Sequence, residues 1–569
     1  MKFKKLALSL FLCLVILVSG CSHFSIPTNA NTAFRNFTLC LFQQEVASNT
    51  LNLHYSLQNP EKYGITEIPI TFGSFDTNEI SALASIENWE TALRKFPYRS
   101  LSKGNRITYD ILSYYFTSLK NGLSFHLYDE PLSPLTGIHA QLPVLLAEYQ
   151  LSNDRDIDTY LKLLKTLPDY FSSLVRFERQ KSAVGLFMSD ALADTVIKQC
   201  NSFISMGDNH YLLSTFEERL QSIKQISSEK RMKYIQKNKE ILFSDILPAY
   251  KSLAESLGSL KGTGKNTQGV CSLPSGKDYY TYLVALQSGS NRPISELKTL
   301  IEQQMNADLM DCHSLLLQNP SLSEQVSGIT ETPETILNNL KEQTANAFPD
   351  SAPVSVNVKY VPEALQEHLS PAFYLIPAID DFDENTIYIN HAHSLNDIHL
   401  FTTLAHEGYP GHLYQTTFFA NTNPDPVRTL LNFSGYVEGW ATYAEMCSYY
   451  ISPLEKQHAT LLQKNNSALL GLYAAADIGI HYDGWSLEDT ISFFSQYGIS
   501  DETTIREIYE YIVGDPANYL TYYVGYLEML ELKREMIIRK GSSFSQKAFH
   551  KQVLEIGPAP FSILKKYLF

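Results

Sequence analysis

The stretch Leu404-Ala-His-Glu-Gly-Tyr-Pro-Gly-His-Leu-Tyr-Gln415 concentrates residue types that handle metals and protons. Two imidazoles, His406 and His412, stand on either side of a carboxylate, Glu407. Zinc takes neutral imidazole nitrogens at roughly 2.0–2.1 Å and, in catalytic sites, keeps one position open for water. In H-E-x-x-H helices the two histidines lie one turn apart and face the same way. Here they are six residues apart. At about 3.6 residues per turn, that spacing turns the second ring roughly 120° away from the first one's face. Pro410 and Gly411 offer a way round. Proline has no N–H to give the carbonyl four residues back, which belongs to His406. Glycine admits backbone angles closed to other residues. A bulge or kink at 409–411 would therefore let His412 swing back to share one metal with His406. The same residues also fit a Pro-Gly turn between two helices that carry two unrelated surface histidines.

The elements that must position these residues are readable nearby. Ser394-Leu-Asn-Asp397 has the form of a helix N-cap with an acid three residues on. Ile398, Phe401 and Ala405 then share an apolar face, so a helix should deliver His406 and Glu407. Just upstream, Val354–Tyr360 alternates apolar and polar residues like a half-buried strand. Phe373–Pro377 and Thr386–Asn390 are two further short strands, with Asp380, Asp381 and Asp383 suited to the turn between them. A small sheet should thus sit directly before the chemistry. Elsewhere the pattern is helical, over 34–58, 76–96, 104–121, 141–180, 188–204 and 214–258, and again from Ser394 to the end. The charges of 214–258 read as a solvated helix surface. Residues 257–276, rich in glycine and serine, form the clearest loop and suggest a boundary between a helical lobe, 34–265, and a second lobe, 266–569. The expected class is mainly α with a small sheet.

The N-terminus looks like an address label. Lys2, Lys4 and Lys5 precede an apolar run, Leu6 to Leu17, and then Val18-Ser19-Gly20-Cys21. This order resembles a bacterial lipobox and implies a signal peptide over 1–20, cleavage before Cys21 and lipidation of that cysteine. Residues 22–33 then read as a short tether. Loss of the three leader lysines would take the net charge from −15 to −18. Such an acidic chain is a poor partner for nucleic acid or for an anionic bilayer surface, so attachment must come from lipid. Of the seven cysteines, Cys40, Cys200, Cys271, Cys312 and Cys447 would remain, and none forms a C-x-x-C metal pattern.

His406-Glu407, Pro410-Gly411-His412 and the later Glu438-Gly439-Trp440-Ala441 resemble the bacterial domain-of-unknown-function 885 family. Asp477-Ile-Gly-Ile-His481, Gly484-Trp485 and the Tyr522-Tyr523-Val-Gly525 region extend the likeness, as do Asp129–Gly137 and Leu273–Tyr280 in the first half. It spans nearly all of the mature chain. Members are often lipoproteins and are regarded as zinc-dependent peptidases with a zincin-like, mainly helical fold. The resemblance implies Zn2+ held by His406, His412 and Glu438, with Glu445 the runner-up ligand or a supporting carboxylate. It implies Glu407 as general base toward a metal-activated water. Candidate donors to the oxyanion are His481, Tyr522 and Tyr523. Asp477 is a candidate acceptor for a ligand imidazole. Loop 129–137 and strand 373–377 would touch substrate.

The expected activity is hydrolysis of peptide bonds in extracytoplasmic peptides by a lipid-anchored enzyme. The alternatives are another zinc amide hydrolase, acting on cell-wall peptides or modified amino acids, and a non-catalytic peptide- or metal-binding lipoprotein. His391, His393 and His399 cluster upstream but no glutamate adjoins them, so they read as turn or cleft-wall residues. Asp380, Asp381 and Asp383 lack the rest of a calcium loop.

Overall fold

Asn29 opens the chain seen here: its side chain accepts the Asn31 N–H and starts helix α1, Ala30–Val46. The tether therefore ends before residue 33. The structure is a computed structural model that describes residues 29–569 except 77, 135, 266–267, 324–330, 362–365, 367–369 and 393–396. The leader, Cys21, His393 and the Ser394 cap lie outside the described residues.

The long helical stretches are cut wherever a capping side chain or proline intervenes. Asn49 accepts the Asn52 N–H, which divides 34–58 into α1 and α2, Thr50–Ser56. Asn153 caps a new helix at Asp154, and Pro168 starts another at Leu167, so 141–180 breaks likewise. Ser227 caps the helix that begins at Ser228 and interrupts 214–258. After the glycine-rich loop come α3, Gly276–Ser288, and the long α4, Ile294–Gln318.

The three strands are β1, Ser355–Tyr360, β2, Ala372–Leu375, and β3, Glu384–Ile389. Their order is β1-β3-β2, with β1 parallel and β2 antiparallel to β3. Residues of β2 and β3 are largely buried, whereas β1 is mostly exposed. Helices then continue as α5, Asp397–Glu407, α6, His412–Asn421, α7, Pro426–Leu430, and α8, Ser434–Ser448. Two long helices, α9, Lys456–Ile478, and α10, Asn518–Lys540, complete the surroundings of the site.

The apolar core does not divide at residue 265. Phe34, Phe37, Ile111 and Phe116 belong to one cluster with Leu404, Trp440 and Leu564. A second cluster, built on residues 51–257, also takes in Phe373 and Tyr388 of the sheet. The first helices thus pack into the C-terminal half, and the sheet bridges both clusters.

Helices α8 and α10 touch backbone to backbone. A Cβ on Gly439 would lie 2.3 Å from the carbonyl carbon of Gly525, and one on Gly525 would lie 2.2 Å from the Gly435 oxygen. No side chain fits there without moving a helix.

Candidate metal centre

Helix α5 ends at Glu407, and the next turn is wider than a helical one. The Gly411 N–H donates to the Ala405 carbonyl (2.9 Å) and the Tyr414 N–H to the Gly408 carbonyl (3.2 Å). Each bond reaches six residues back rather than four, and the Tyr409–Pro410 peptide inside the detour is cis. His412 thereby returns to the side of His406, with ring centroids 4.8 Å apart at 80°. Gly411 is needed for closeness: a Cβ there would fall 1.8 Å from the His406 oxygen. The indole N–H of Trp440 holds the detour by donating to the Pro410 carbonyl (2.9 Å).

Glu438, one residue before the Gly439 contact, projects between the two rings. Its Oε2 lies 3.3 Å from His412 Nε2 and 3.8 Å from His406 Nε2. One ligand atom from each residue falls within 4.8 Å of the others, and all three side chains are buried. His412 Nε2 and Glu438 Oε2 have no hydrogen-bond partner. Leaving two such atoms buried and unpaired is costly, and a shared cation satisfies both. This is the only group of three or more such ligands among the described residues.

The remaining nitrogen of His406 is also engaged. Nδ1 lies 3.0 Å from Glu445 Oε2, and the Asn466 amide of α9 donates to Glu445 Oε1 (3.0 Å). That leaves Nε2 facing Glu438, the arrangement by which carboxylates orient ligating imidazoles. Burial works against a charged imidazole here, but the Glu445 bond and the charges of Glu407, Glu445 and Glu438 outweigh it and push His406 up to about 9. The pocket calls for positive charge.

Glu407 is buried beside the ligands, and its Oε2 accepts the Tyr374 N–H of β2 (2.9 Å). The Asn390 N–H donates to the Pro371 carbonyl (2.8 Å), and since bonded pairs alternate in an antiparallel ladder, Tyr374 falls at a position whose N–H turns away from β3. Tyr522 of α10 lies against the site, its ring centroid 6.5 Å from that of His406. Burial, with Glu438 and Glu407 nearby, holds its hydroxyl protonated far above the usual tyrosine range.

Three expected site residues belong elsewhere. His481 is a core histidine: Nδ1 accepts the Val270 N–H (3.1 Å) and Nε2 donates to the Ile512 carbonyl (2.7 Å). Both nitrogens are used, and burial pushes the ring down to about 4. Asp477 touches no ligand histidine. It accepts from the Tyr280 hydroxyl (2.6 Å) and the Ala517 N–H (3.0 Å), and so anchors the start of α10. Tyr523 points away from its neighbour Tyr522, into the core beside Gly471 and Tyr526. Successive helix residues lie about 100° apart, so only one of the pair can face the site.

Of the decoys, His391 is exposed and stacks on Tyr360 (4.2 Å). Asp380 accepts the N–H groups of Gln58 and Asn59. In the loop 129–137, Glu130 pairs with the buried Lys181 at 2.6 Å. Asn466, Tyr374 and the Trp440 brace escaped sequence reading. No local signal marked Asn466, because Asn465-Asn466-Ser467 only continues the polar first half of α9.

A model of a family described as bacterial protein of unknown function (DUF885) matches residues 77–568. The chain belongs to this family. The DUF885 match takes in the sheet, the wide turn and all of the side chains just described. No curated protein matches the chain. Two solved structures share its fold. A candidate lipoprotein from Colwellia psychrerythraea superposes with a TM-score of 0.84 at 18% identity, over 95% of this chain and 98% of that one. A candidate lipoprotein of unknown function from Shewanella oneidensis gives 0.65 at 17%, over 94% and 98%.

Proposed function

We propose that this DUF885 protein is a zinc-dependent peptidase of zincin-like design, hydrolysing peptide bonds in extracytoplasmic peptides. The observation that carries this reading is the convergence of His406, His412 and Glu438 on one point, with two buried atoms left unpaired. Two imidazoles and a carboxylate are a donor set of the kind catalytic zinc takes. Zinc held there supplies Lewis acidity toward water and toward a carbonyl.

The chain's own residues divide the rest of the work. The Tyr374 N–H fixes one oxygen of Glu407, which leaves the other to take a proton from the attacking water and pass it to the departing amine. Glu445, steadied by Asn466, keeps His406 in one orientation. The Tyr522 hydroxyl, held protonated, donates to the oxygen on which negative charge develops. A base role accounts for a second buried carboxylate beside the first ligand, with one oxygen left over from the Tyr374 bond.

The lipobox-like leader and the two candidate lipoproteins of the same fold support a lipid anchor at Cys21 on the outer face of the membrane. No helix among the described residues is long and apolar enough to cross a membrane.

The test is a peptide-mixture digest with wild type and Glu407→Gln, together with metal analysis. Wild type should cleave, lose activity to a chelator and regain it with zinc. Glu407→Gln should keep its metal and lose about 10²–10⁴ in rate. A zinc-loaded wild type that cuts nothing would favour a binding protein instead.

A further inference from the structure

An apolar cavity of about 140 Å³ lies beside the candidate metal centre, walled by residues that adjoin its side chains. Tyr374, whose N–H holds Glu407, lines it, as does Gln415, one helical turn after His412. Val437, adjacent to Glu438, lines it too. The volume sets a size limit. A cavity of about 150 Å³ holds one benzene, and pockets for larger ligands run from about 300 Å³ upward. One branched or aromatic side chain fits here.

One wall carries a charge. Arg428 of α7 is only 5% exposed, yet no carboxylate lies within ion-pair distance of it among the described residues. Its guanidinium lies over the ring of Phe419, another wall residue, at 5.0 Å. One terminal nitrogen donates to the carbonyls of Ile556 and Pro558, while Nε has no hydrogen-bond partner. The nearby Asp425 carboxylate is spent on the Thr38 hydroxyl (2.6 Å) and the Val427 N–H (3.2 Å). A buried guanidinium without a direct carboxylate partner is costly, and an arginine fork suits a carboxylate. The carbonyls it meets are neutral and Asp425 acts on it only through space, so the guanidinium has no direct carboxylate partner at the edge of a greasy slot.

We infer that this cavity is a subsite for the carboxy-terminal residue of a peptide, taking one large apolar side chain, with Arg428 binding the free carboxylate. The inference rests on the peptidase reading and sharpens it: cleavage would release a single apolar residue. Amidated or carboxy-terminally acidic peptides would be poor substrates, because they lack the carboxylate or put a second charge in the apolar slot.

Binding of N-acetyl-phenylalanine and of its carboxamide to the full-length protein, measured by calorimetry, tests this without any need for turnover. The acid should bind at least about tenfold tighter than the amide, since a charged acceptor strengthens the bond to arginine. N-acetyl-glycine should bind more weakly than N-acetyl-phenylalanine. Arg428→Gln should erase the acid's advantage, and Ala420→Phe, which fills the cavity from a half-buried wall position, should abolish binding. Equal affinity for acid and amide in wild type overturns the assignment, whether or not the variants fold. So does an advantage that survives Arg428→Gln, which would place the carboxylate on the metal ligands. Were the peptidase reading wrong, the binding preference would persist with no cleavage. Were only the subsite wrong, cleavage would persist with amidated peptides cut as fast as free acids.

Discussion

Two buried carboxylates in this molecule are treated in opposite ways. Asp308 of α4 is fully buried, and the chain supplies everything it needs. Oδ1 accepts from Lys464 (2.8 Å) and Gln304 (2.9 Å), and Oδ2 accepts from Ser467 (2.6 Å). Glu438 of α8 is 5% exposed, and the chain surrounds its Oε2 with two imidazoles and no donor that bonds it. A fold that can satisfy Asp308 so completely is not short of lysines or hydroxyls. It withholds them at Glu438. Helix α9 serves both sites, sending Lys464 and Ser467 to Asp308 and Asn466 to Glu445. The lesson is that a missing partner is informative only beside a region where partners are provided: the chain completes the first carboxylate itself and leaves the second open to the cation proposed here.

The contrast is most exposed to a pair of substitutions. Asp308→Asn leaves Lys464 with Asp311 alone and breaks the buried bonds to Ser467 and Gln304, and should cost about 2–3 kcal/mol of stability, read as a lower thermal midpoint, with metal content unchanged. Glu438→Gln should do the reverse, purifying without stoichiometric metal while its midpoint matches that of chelated wild type. If Asp308→Asn lost the metal and Glu438→Gln kept it, the distinction between the two sites would collapse.

A smaller effect is expected at the helix contact behind Glu438. Gly439→Ala drives a methyl into the Gly525 backbone and should cost about 1–3 kcal/mol by overpacking. Because α8 must shift, metal affinity should weaken too, which denaturant titration with and without zinc would separate. Glu445→Gln removes the carboxylate that orients His406 and should weaken metal binding about 10–100-fold, measured by competition with a chromophoric chelator. Least of all, Trp440→Phe deletes one hydrogen bond to the Pro410 carbonyl, worth about 1 kcal/mol, and should leave metal stoichiometry intact.

Much of this was legible in the sequence. Period-two alternation marked β1, and short apolar runs beside turn residues marked β2 and β3; all three were placed within two residues at each end. Pro410 and Gly411 announced the wide turn, because their backbones forbid or permit what other residues do not. His481, Asp477 and Tyr523 misled for a common reason. They sit in motif-like segments, but a segment can recur because it frames a site rather than because it enters one. Asp477 secures the start of α10, and through it Tyr522, without approaching the ligands. Which way a side chain turns depends on helix rotation, and a local pattern does not fix that. Lobe boundaries were unreadable for another reason: Phe34 and Leu564 join one core across more than 500 residues, a pairing that no local composition records.

The bare seam between α8 and α10 has a consequence for how the centre ages under mutation. Where main chain rests on main chain there is no soft layer to absorb error, so the tolerance that side-chain packing normally grants is missing. Gly435, Gly439 and Gly525 have no side chain to place in the candidate metal centre, yet they fix the gauge between Glu438 on one rail and Tyr522 on the other. A drift between side-chain layers can be taken up by repacking; a drift here would be passed straight to the spacing of Glu438 and Tyr522.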